Sequence, residues 1–265
     1  HDVALAVLDQ VPEGERARAR IWALRARYLA AAGRHRQAEE AFTLALAEPG
    51  GLSADEAART AVHAAEMLLT EGRFASARRH AQSALPAPLA RVLAGCALVH
   101  LGHERQGRAE AEQAAQEALR SGEPEDACLA ALYLAELLAG PLNAVERGVD
   151  VAARAAAEAE RLGLSRSTAA RLRATQANGL FRIGRWDDAR SALGEALANL
   201  PSGADAVELL LSAARVDMGL GDLTSAQDRL TAAETLMPDD ASSRHVVLFG
   251  TLRAGLAMWQ RDYDA

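Results

Sequence analysis

A turn built around a glycine recurs along this chain, and it limits the possible folds more than any other feature. It is clearest at residues 181–189, where an apolar helical run stops at Gly184, Trp186 and two aspartates follow, and Ala189 opens a new helical run. Glycine ends helices well because it adopts positive φ without strain, and acids at helix starts accept hydrogen bonds from unpaired backbone N–H groups. The stretch therefore predicts a tight corner between two antiparallel helices.

The same corner returns at intervals of 30 to 44 residues along the chain. The marker positions are Gly33, Gly72, Gly102, Gly140, Gly184, Gly221 and Arg261, where arginine occupies the glycine place. A recurrence of this length is typical of arrays of helical hairpins, in which one hairpin cannot bury its apolar face alone and stacking supplies the core. We therefore expect a single array over residues 1–265.

Helix caps and apolar periodicity place the helices of this array. After an entry helix that ends near residue 11, the predicted helices span residues 13–32, 35–47, 53–71, 74–84, 88–101, 104–120, 126–139, 143–162, 165–183, 186–200, 204–220, 223–236 and 242–260. The first residues look like the second helix of a pair, and the last ones like the start of another helix. This predicts six full hairpins with partial units at both ends, and a chain that is a fragment of a larger protein.

Composition supports helices and excludes several functions. Half of the residues are apolar and only 4% are aromatic, with alanine and leucine in excess, and no segment alternates with period two. All 29 basic residues are arginine, so a Walker-type phosphate loop and lysine Schiff-base chemistry are excluded. A net charge of −7 argues against direct contact with a nucleic-acid backbone.

Motifs for catalysis and metal binding are absent, so we expect no enzyme activity, no cofactor and no metal. The nearest metal pattern, His100 and His103 around a turn, lacks further ligands at a suitable spacing. The pairs Asp187–Asp188 and Asp239–Asp240 lie at helix starts, where capping explains them. Cys96 and Cys128 are too few for a disulfide framework, and no apolar run is long enough to span a membrane. These features favour a cytoplasmic protein.

The pattern of small residues around the corners resembles that of the tetratricopeptide repeat (TPR) family. Alanine occupies the three small places of the family motif in four units: Ala26, Ala38 and Ala45; Ala65, Ala77 and Ala84; Ala177, Ala189 and Ala196; Ala214, Ala226 and Ala233. Trp22, Phe42, Pro201 and Pro238 match further places, while Gly107 and Tyr133 depart from the motif in the third and fourth units. The resemblance implies an all-α, right-handed TPR-like solenoid of antiparallel helix pairs.

A narrower resemblance involves residues 173–189 and the alanine-rich pair that follows through Leu236. This stretch is similar to the helical-repeat region of large ATP-binding LuxR-type bacterial transcriptional regulators. That family carries a nucleotide-binding module before the repeats and a DNA-binding domain after them. The resemblance implies that any DNA binding belongs to a fused module.

In TPR arrays the first helix of each pair lines a concave groove, and the family's groove places fall on particular residues of this chain. The candidate ligand-binding residues are Arg59, Glu66, Cys96, His100, Arg171, Asn178, Phe181, Arg182, Glu208, Arg215 and Met218. One hypothesis is that Arg171, Asn178, Arg182 and Arg215 converge on a carboxylate, a phosphate or an acidic segment, because arginine's planar fork suits oxyanions. The alternative is that these arginines pair with Glu208 and other acids on adjacent helices. Cys96, His100 and Leu134 either floor a small-molecule pocket or are packed in the core.

The sequence therefore predicts a non-catalytic region that binds a peptide, a protein or a small-molecule effector in its groove. We interpret it as the sensor or interaction segment of a LuxR-family regulator. A stand-alone TPR adaptor is the second interpretation, and an accessory part of an enzyme is the third. Contact with a membrane is not expected, and a homodimer through the alanine-rich outer faces of the third and fourth units is left open.

Overall fold

The protein is described from a computed structural model, which describes residues 1–10, 18–121, 123–164, 167–238 and 241–260. Four of the sequence predictions lie outside the described residues. They are the first part of the second predicted helix, the start of the helix predicted from residue 165, the Asp239–Asp240 pair and the corner at Arg261.

The helices form two compact units. Within the described residues, the first unit contains α1 (Asp2–Leu8), α2 (Arg18–Ala31), α3 (His35–Ala47), α4 (Ala54–Thr70), α5 (Phe74–Ser83), α6 (Pro88–His100) and α7 (Glu104–Ser121). The second contains α8 (Pro124–Ala139), α9 (Val145–Arg161), α10 (Thr168–Arg182), α11 (Trp186–Ala198), α12 (Ala204–Gly219), α13 (Leu223–Leu236) and α14 (Ser243–Gln260). The part of the chain that is described contains no β-strand, which confirms the expected all-α class. That residues 1–265 form one array stays a prediction.

Consecutive helices pack as antiparallel hairpins, and alanine makes their close contact possible. In the pairs α2–α3, α4–α5, α10–α11 and α12–α13, each of the two helices contributes alanine to the same buried apolar cluster. The alanines of the first helices, Ala26, Ala65, Ala177 and Ala214, are all fully buried. Two helix backbones can approach this closely only where side chains are small, so the predicted small places are confirmed as packing residues.

The corners depend on a left-handed backbone conformation. Gly33, Gly72, Gly102, Gly184 and Gly221 have φ between 73° and 90°. The fourth corner is different, because Gly140 has φ of −84° and Asn143 is the residue with positive φ, at 49°. Asparagine is among the few residues that tolerate this region, so the irregular fourth pair still turns through a permitted conformation.

The third pair departs from the motif because its helices are closer together than alanine would allow. A Cβ atom added to Gly107 of α7 would lie 2.4 Å from the Gly95 carbonyl oxygen of α6, and one added to Gly95 would lie 2.7 Å from the Gly107 carbonyl oxygen. Both distances are shorter than real contacts of Cβ atoms. Gly107 therefore permits a tighter crossing of α6 and α7.

Candidate functional site

Polar side chains bridge α8, α10, α12 and α14, which pack one against the next within the second unit. We call this set the polar row, and it comprises Tyr133, Arg171, Asn178, Arg182, Asp205, Glu208, Ser212, Arg215, Arg244 and His245. The hairpin packing explains its position. Ala177 and Ala214 face their hairpin partners, and the next residues, Asn178 and Arg215, are turned by about 100° toward the neighbouring first helix.

Arg171 links three helices at one end of the polar row. Its Nη2 donates a hydrogen bond of 3.1 Å to the Tyr133 hydroxyl, and its guanidinium carbon lies 5.4 Å from the centre of the Tyr133 ring. Its Nε lies 3.7 Å from Asp205 Oδ1. Burial disfavours the charged form, but Tyr133, Asp205 and Glu136 outweigh burial, so the pKa of Arg171 is held well above its usual value. The side chain is still 24% exposed, so solvent reaches this cation.

Asn178 connects α10 with α12 through both ends of its amide. Its Nδ2 donates to the Ser212 hydroxyl at 3.1 Å, and its Oδ1 accepts from Arg215 Nη1 at 3.1 Å. Burial lowers the pKa of Arg215, although the nearby carboxylate of Glu208 acts in the opposite direction. Arg215 is thus a desolvated cation whose hydrogen-bond partner in the row is a neutral amide.

Glu208 is an acid of the polar row whose pKa is strongly shifted. It accepts a hydrogen bond of 3.0 Å from Arg244 Nη2, and its other oxygen lies 3.2 Å from His245 Nε2. Burial alone would raise its pKa, but Arg244, His245 and Arg215 lower the pKa of Glu208 to about 2. The Glu208 side chain is 18% exposed and that of Arg244 is 45% exposed, so this pair borders solvent.

Arg182 belongs to the row but is engaged at the end of α8. Its guanidinium donates to the Ala139 carbonyl oxygen, and its Nη2 donates to Asn143 Oδ1 at 2.9 Å. Asn143 is the residue with positive φ in the irregular fourth corner. Arg182 therefore ties the corner after α8 to the end of α10.

Phe181 and Met218, which we predicted as groove residues, both contribute to packing. The Phe181 ring lies against Gly219, where an added Cβ atom would be 2.4 Å from Phe181 Cε2, and its centre lies 5.8 Å from that of Trp186. The end of the Met218 side chain lies against Gly255 of α14. Both side chains are partly buried at helix contacts within the second unit.

In the first unit the candidates are dispersed over α4 and α6. Arg59 is exposed and makes no hydrogen bond or ion pair within the described part of the chain. Glu66 lies in the same helix, with its Oε2 3.0 Å from His63 Nδ1. Neither residue contacts the other, so the structure brings no anion site together on α4.

Of the two interpretations of Cys96, the structure agrees with packing in the core and not with a place on the groove. The Cys96 side chain is only 2% exposed, because α6 is surrounded on nearly all sides in the core of the first unit. His100, one turn later, is exposed and stacks on Phe74 with ring centres 4.1 Å apart. Partial burial lowers the pKa of His100, which favours the neutral ring for this stack. The described residues contain no cluster of three or more potential metal ligands.

The polar row contains partners that sequence reasoning missed, namely Tyr133, Asp205, Ser212, Arg244 and His245. Tyr133 was noted only as a departure from the motif, and the others lie outside the groove places that we considered. Asp205 and His245 could have been found from their place in the repeat. Each lies 16 residues before a corner position, at 221 and 261. Acids of adjacent helices form ion pairs with two of the row's arginines, Arg171 and Arg244, as our alternative interpretation expects. Arg215 instead donates a hydrogen bond to an amide, and Arg182 donates to a carbonyl and to an amide.

The stacked hairpins define the chain as a helical-repeat protein with a TPR-like fold. Solved structures confirm this fold. A Rap protein complexed with Competence and Sporulation Factor is 13% identical, with a TM-score of 0.66 over 97% of this chain and 80% of that one. NprR in complex with its cognate peptide NprX is 12% identical, with a TM-score of 0.59 over 100% of this chain and 79% of that one. A tetratricopeptide repeat protein from Parabacteroides merdae is 13% identical, with a TM-score of 0.56 over 95% and 91% of the two chains.

No protein-family model matches the sequence, and none of the curated protein sequences is similar to it. At these identities the structural likeness concerns the fold alone. Among the helices of the described residues, none combines the length and apolar character needed to cross a membrane.

Proposed function

We propose that this chain is a non-catalytic interaction region that binds a peptide or a protein segment along the polar row. The observation that carries the proposal is the row itself, in which hydrogen-bonding side chains of four successive first helices are desolvated and yet remain in contact with solvent. Neighbouring polar and charged groups shift the pKa values of Arg171, Glu208 and Arg244 against the effect of burial, while part of each side chain is exposed. A peptide backbone or an acidic side chain can exchange hydrogen bonds with such groups.

Two structural neighbours support the proposal that the ligand is a peptide. NprR was solved with its cognate peptide, and a Rap protein was solved with Competence and Sporulation Factor. The arginines of the polar row favour a segment with carboxylate groups, because a guanidinium forms two parallel hydrogen bonds to a carboxylate.

The proposal extends to the larger protein. From its resemblance to the helical-repeat region of LuxR-type regulators, we infer that the chain is the sensor or interaction segment of a bacterial transcriptional regulator that acts in the cytoplasm. Ligand in the polar row would change how neighbouring hairpins pack, and so change the relation of modules fused to the repeats. The full reading frame tests this directly. A LuxR-type DNA-binding domain encoded after the repeats would support it, and a reading frame without one would leave the adaptor interpretation.

Selection from a displayed library of short random peptides tests binding to the polar row. We expect acidic peptides to be enriched, and the double variant Asn178→Ala, Arg215→Ala to bind the selected peptide at least about tenfold more weakly. Arg253→Ala is the matched control, because Arg253 is an exposed arginine of the same unit that pairs with Glu234 outside the row. Failure to enrich any peptide, or equal affinity of the double variant and the wild type, would refute the proposal.

A further inference from the structure

A second candidate site lies on other residues of the second unit, in a crevice between α11, α12 and the start of α13. The crevice has a volume of about 310 Å³, which is within the usual range for small-molecule sites. Its polar wall is formed by Arg190, Asp217 and Arg229, and its apolar wall by Leu193, Leu197 and Val216. No residue of the polar row lines it, so the inference is independent of the proposed function.

The charged groups of this crevice approach each other without forming hydrogen bonds. Arg229 Nε lies 3.9 Å from Asp217 Oδ2, and Arg190 Nη2 lies 3.8 Å from Asp217 Oδ1 and 3.8 Å from Asp222 Oδ2. Hydrogen bonds between nitrogen and oxygen are about 2.7–3.2 Å long, so these gaps are too wide for direct bonds. The Arg229 Nε atom is buried and has no acceptor among the residues that the structure describes.

A neighbouring crevice, between α9, α10 and α11, also contains an arginine beside acids, and there the arginine forms hydrogen bonds to those acids. Its arginine, Arg173, donates two parallel hydrogen bonds of 2.8 and 2.9 Å to Glu160, and a third of 3.3 Å to Glu195. The two crevices have similar volumes, of about 310 and 300 Å³. The crevice of Arg229 therefore differs in leaving a buried donor without an acceptor, and a buried acid without a hydrogen-bonded donor.

Asp222 does not compensate for this difference. Its carboxylate accepts a hydrogen bond of 3.1 Å from the Ser225 backbone N–H and caps α13. Asp217 is more deeply buried, and burial raises its pKa although two arginines lie nearby. A ligand suited to the crevice must offer an oxygen acceptor to Arg229 and a hydrogen-bond donor to Asp217.

We propose that this crevice binds a free α-amino acid with an aliphatic side chain. The carboxylate accepts from the guanidinium groups of Arg229, whose side chain is 39% exposed, and of Arg190, and the ammonium group donates to Asp217. Because both groups of an α-amino acid are attached to one carbon, they suit an arginine and an aspartate whose charged groups lie close together without a direct hydrogen bond. The two arginines and two aspartates carry no net charge together, which matches a zwitterion, and the aliphatic side chain lies on Leu193, Leu197 and Val216.

Calorimetric titration with four probes tests the chemistry of the ligand. Leucine carries all three features, N-acetylleucine lacks the ammonium group, 3-methylbutylamine lacks the carboxylate, and glycine lacks the apolar side chain. We expect leucine to bind and each of the others to bind at least about tenfold more weakly. Absence of leucine binding would overturn the proposal, and so would equal binding of any probe that lacks one feature.

Variants of the same chain test the location. Arg229→Gln removes the guanidinium group, and Gly194→Leu fills the crevice at a position where an added Cβ atom meets nothing within 4 Å. Both are expected to weaken leucine binding at least about tenfold. Arg185→Gln is the control, because Arg185 is an exposed arginine at the start of α11 that pairs with Asp188 outside the crevice. Wild-type affinity in Gly194→Leu would place the leucine site elsewhere and overturn the assignment, even if Arg229→Gln were poorly folded.

Discussion

At the scale of single residues, Glu208 shows how the polar row reconciles burial with charge. A buried carboxylate without partners would be protonated, because its ionised form loses its hydration. Here Arg244 and His245 of the next first helix, together with Arg215, reverse that tendency and lower the pKa of Glu208 to about 2. The folded protein therefore stabilises the ionised form of Glu208 more than the unfolded chain does.

This pKa predicts how stability depends on pH. Because the folded-state pKa is below the usual value of 4.5, the contribution of Glu208 is complete above about pH 4.5 and is lost as the pH falls toward 2. Glu208→Gln should cost on the order of 2–3 kcal/mol at pH 7 and should flatten the loss of stability between these pH values. Urea unfolding at a series of pH values measures both effects.

The exposed acid Glu234 supplies the control for this measurement. It pairs with Arg253 at the surface, so Glu234→Gln should change the free energy of unfolding by no more than about 0.5 kcal/mol. If Glu208→Gln and Glu234→Gln gave the same pH profile, the polar row would not hold Glu208 in its ionised form.

At the scale of helices, contact distance decides which small residue a position accepts. Four hairpins use alanine at their contacts, whereas α6 and α7 use Gly95 and Gly107 because their backbones lie closer together. The departure of Gly107 from the repeat motif is thus a packing requirement. It is also a place where the residue typical of the family should be harmful.

Gly107→Ala should lower the free energy of unfolding by about 2 kcal/mol or more. The added Cβ atom would lie 2.4 Å from a carbonyl oxygen and 2.8 Å from a backbone nitrogen of α6, and neither atom can move without shifting the helix. Gly250→Ala in α14 is the control, since an added Cβ atom there meets nothing within 4 Å. It should stabilise the protein by about 0.5–1 kcal/mol. Stabilisation by both substitutions in thermal unfolding would show that α6 and α7 are not in such close contact.

The fourth corner should be sensitive to the residue at position 143. Asn143→Ala should destabilise the protein by about 2 kcal/mol, because alanine resists φ of 49° and cannot accept the hydrogen bond from Arg182. Asn143→Gly loses only the hydrogen bond, so its cost should be about 1 kcal/mol or less. Chemical denaturation separates the two variants. A glycine variant less stable than the alanine variant would contradict the left-handed geometry of this corner.

At the scale of the whole molecule, the protein consists of elements that contact mainly their neighbours in sequence. In such arrays the stability is approximately a sum of hairpin and neighbour terms, so a local defect has local consequences. The two compact units each contain their own buried leucines, among them Leu68 in α4 and Leu172 in α10.

Hydrogen exchange of two reciprocal variants tests this behaviour. Leu172→Ala and Leu68→Ala each remove a fully buried side chain at an expected cost of about 2–5 kcal/mol. The first should accelerate amide exchange mainly in α8 to α12, and the second mainly in α2 to α6. Equal acceleration in every helix of both variants would mean that the chain unfolds as one cooperative body.

The helices and most corners of this protein were predictable from its sequence, because their causes are local. Most corner glycines have positive φ, as Gly184 and Gly221 show, and alanines at helical spacing mark the face that a partner helix covers. Gly140 is the exception, since the left-handed residue of its corner is Asn143. The sequence shows a glycine but not how the loop after it closes.

For the candidate site, the sequence predicted which helix faces carry its residues but not which residues contact one another. The sequence placed Arg171, Asn178 and Arg215 on first helices, and it left open whether Cys96 lines a pocket or is packed in the core. Their partners were decided by tertiary structure, because Asn178 and Arg215 are 37 residues apart, and so are Glu208 and His245. The rotation and separation of packed helices determine which of these distant side chains meet. Periodicity within one helix contains no information about that rotation, so local sequence determined the repeat and packing between repeats determined the polar row.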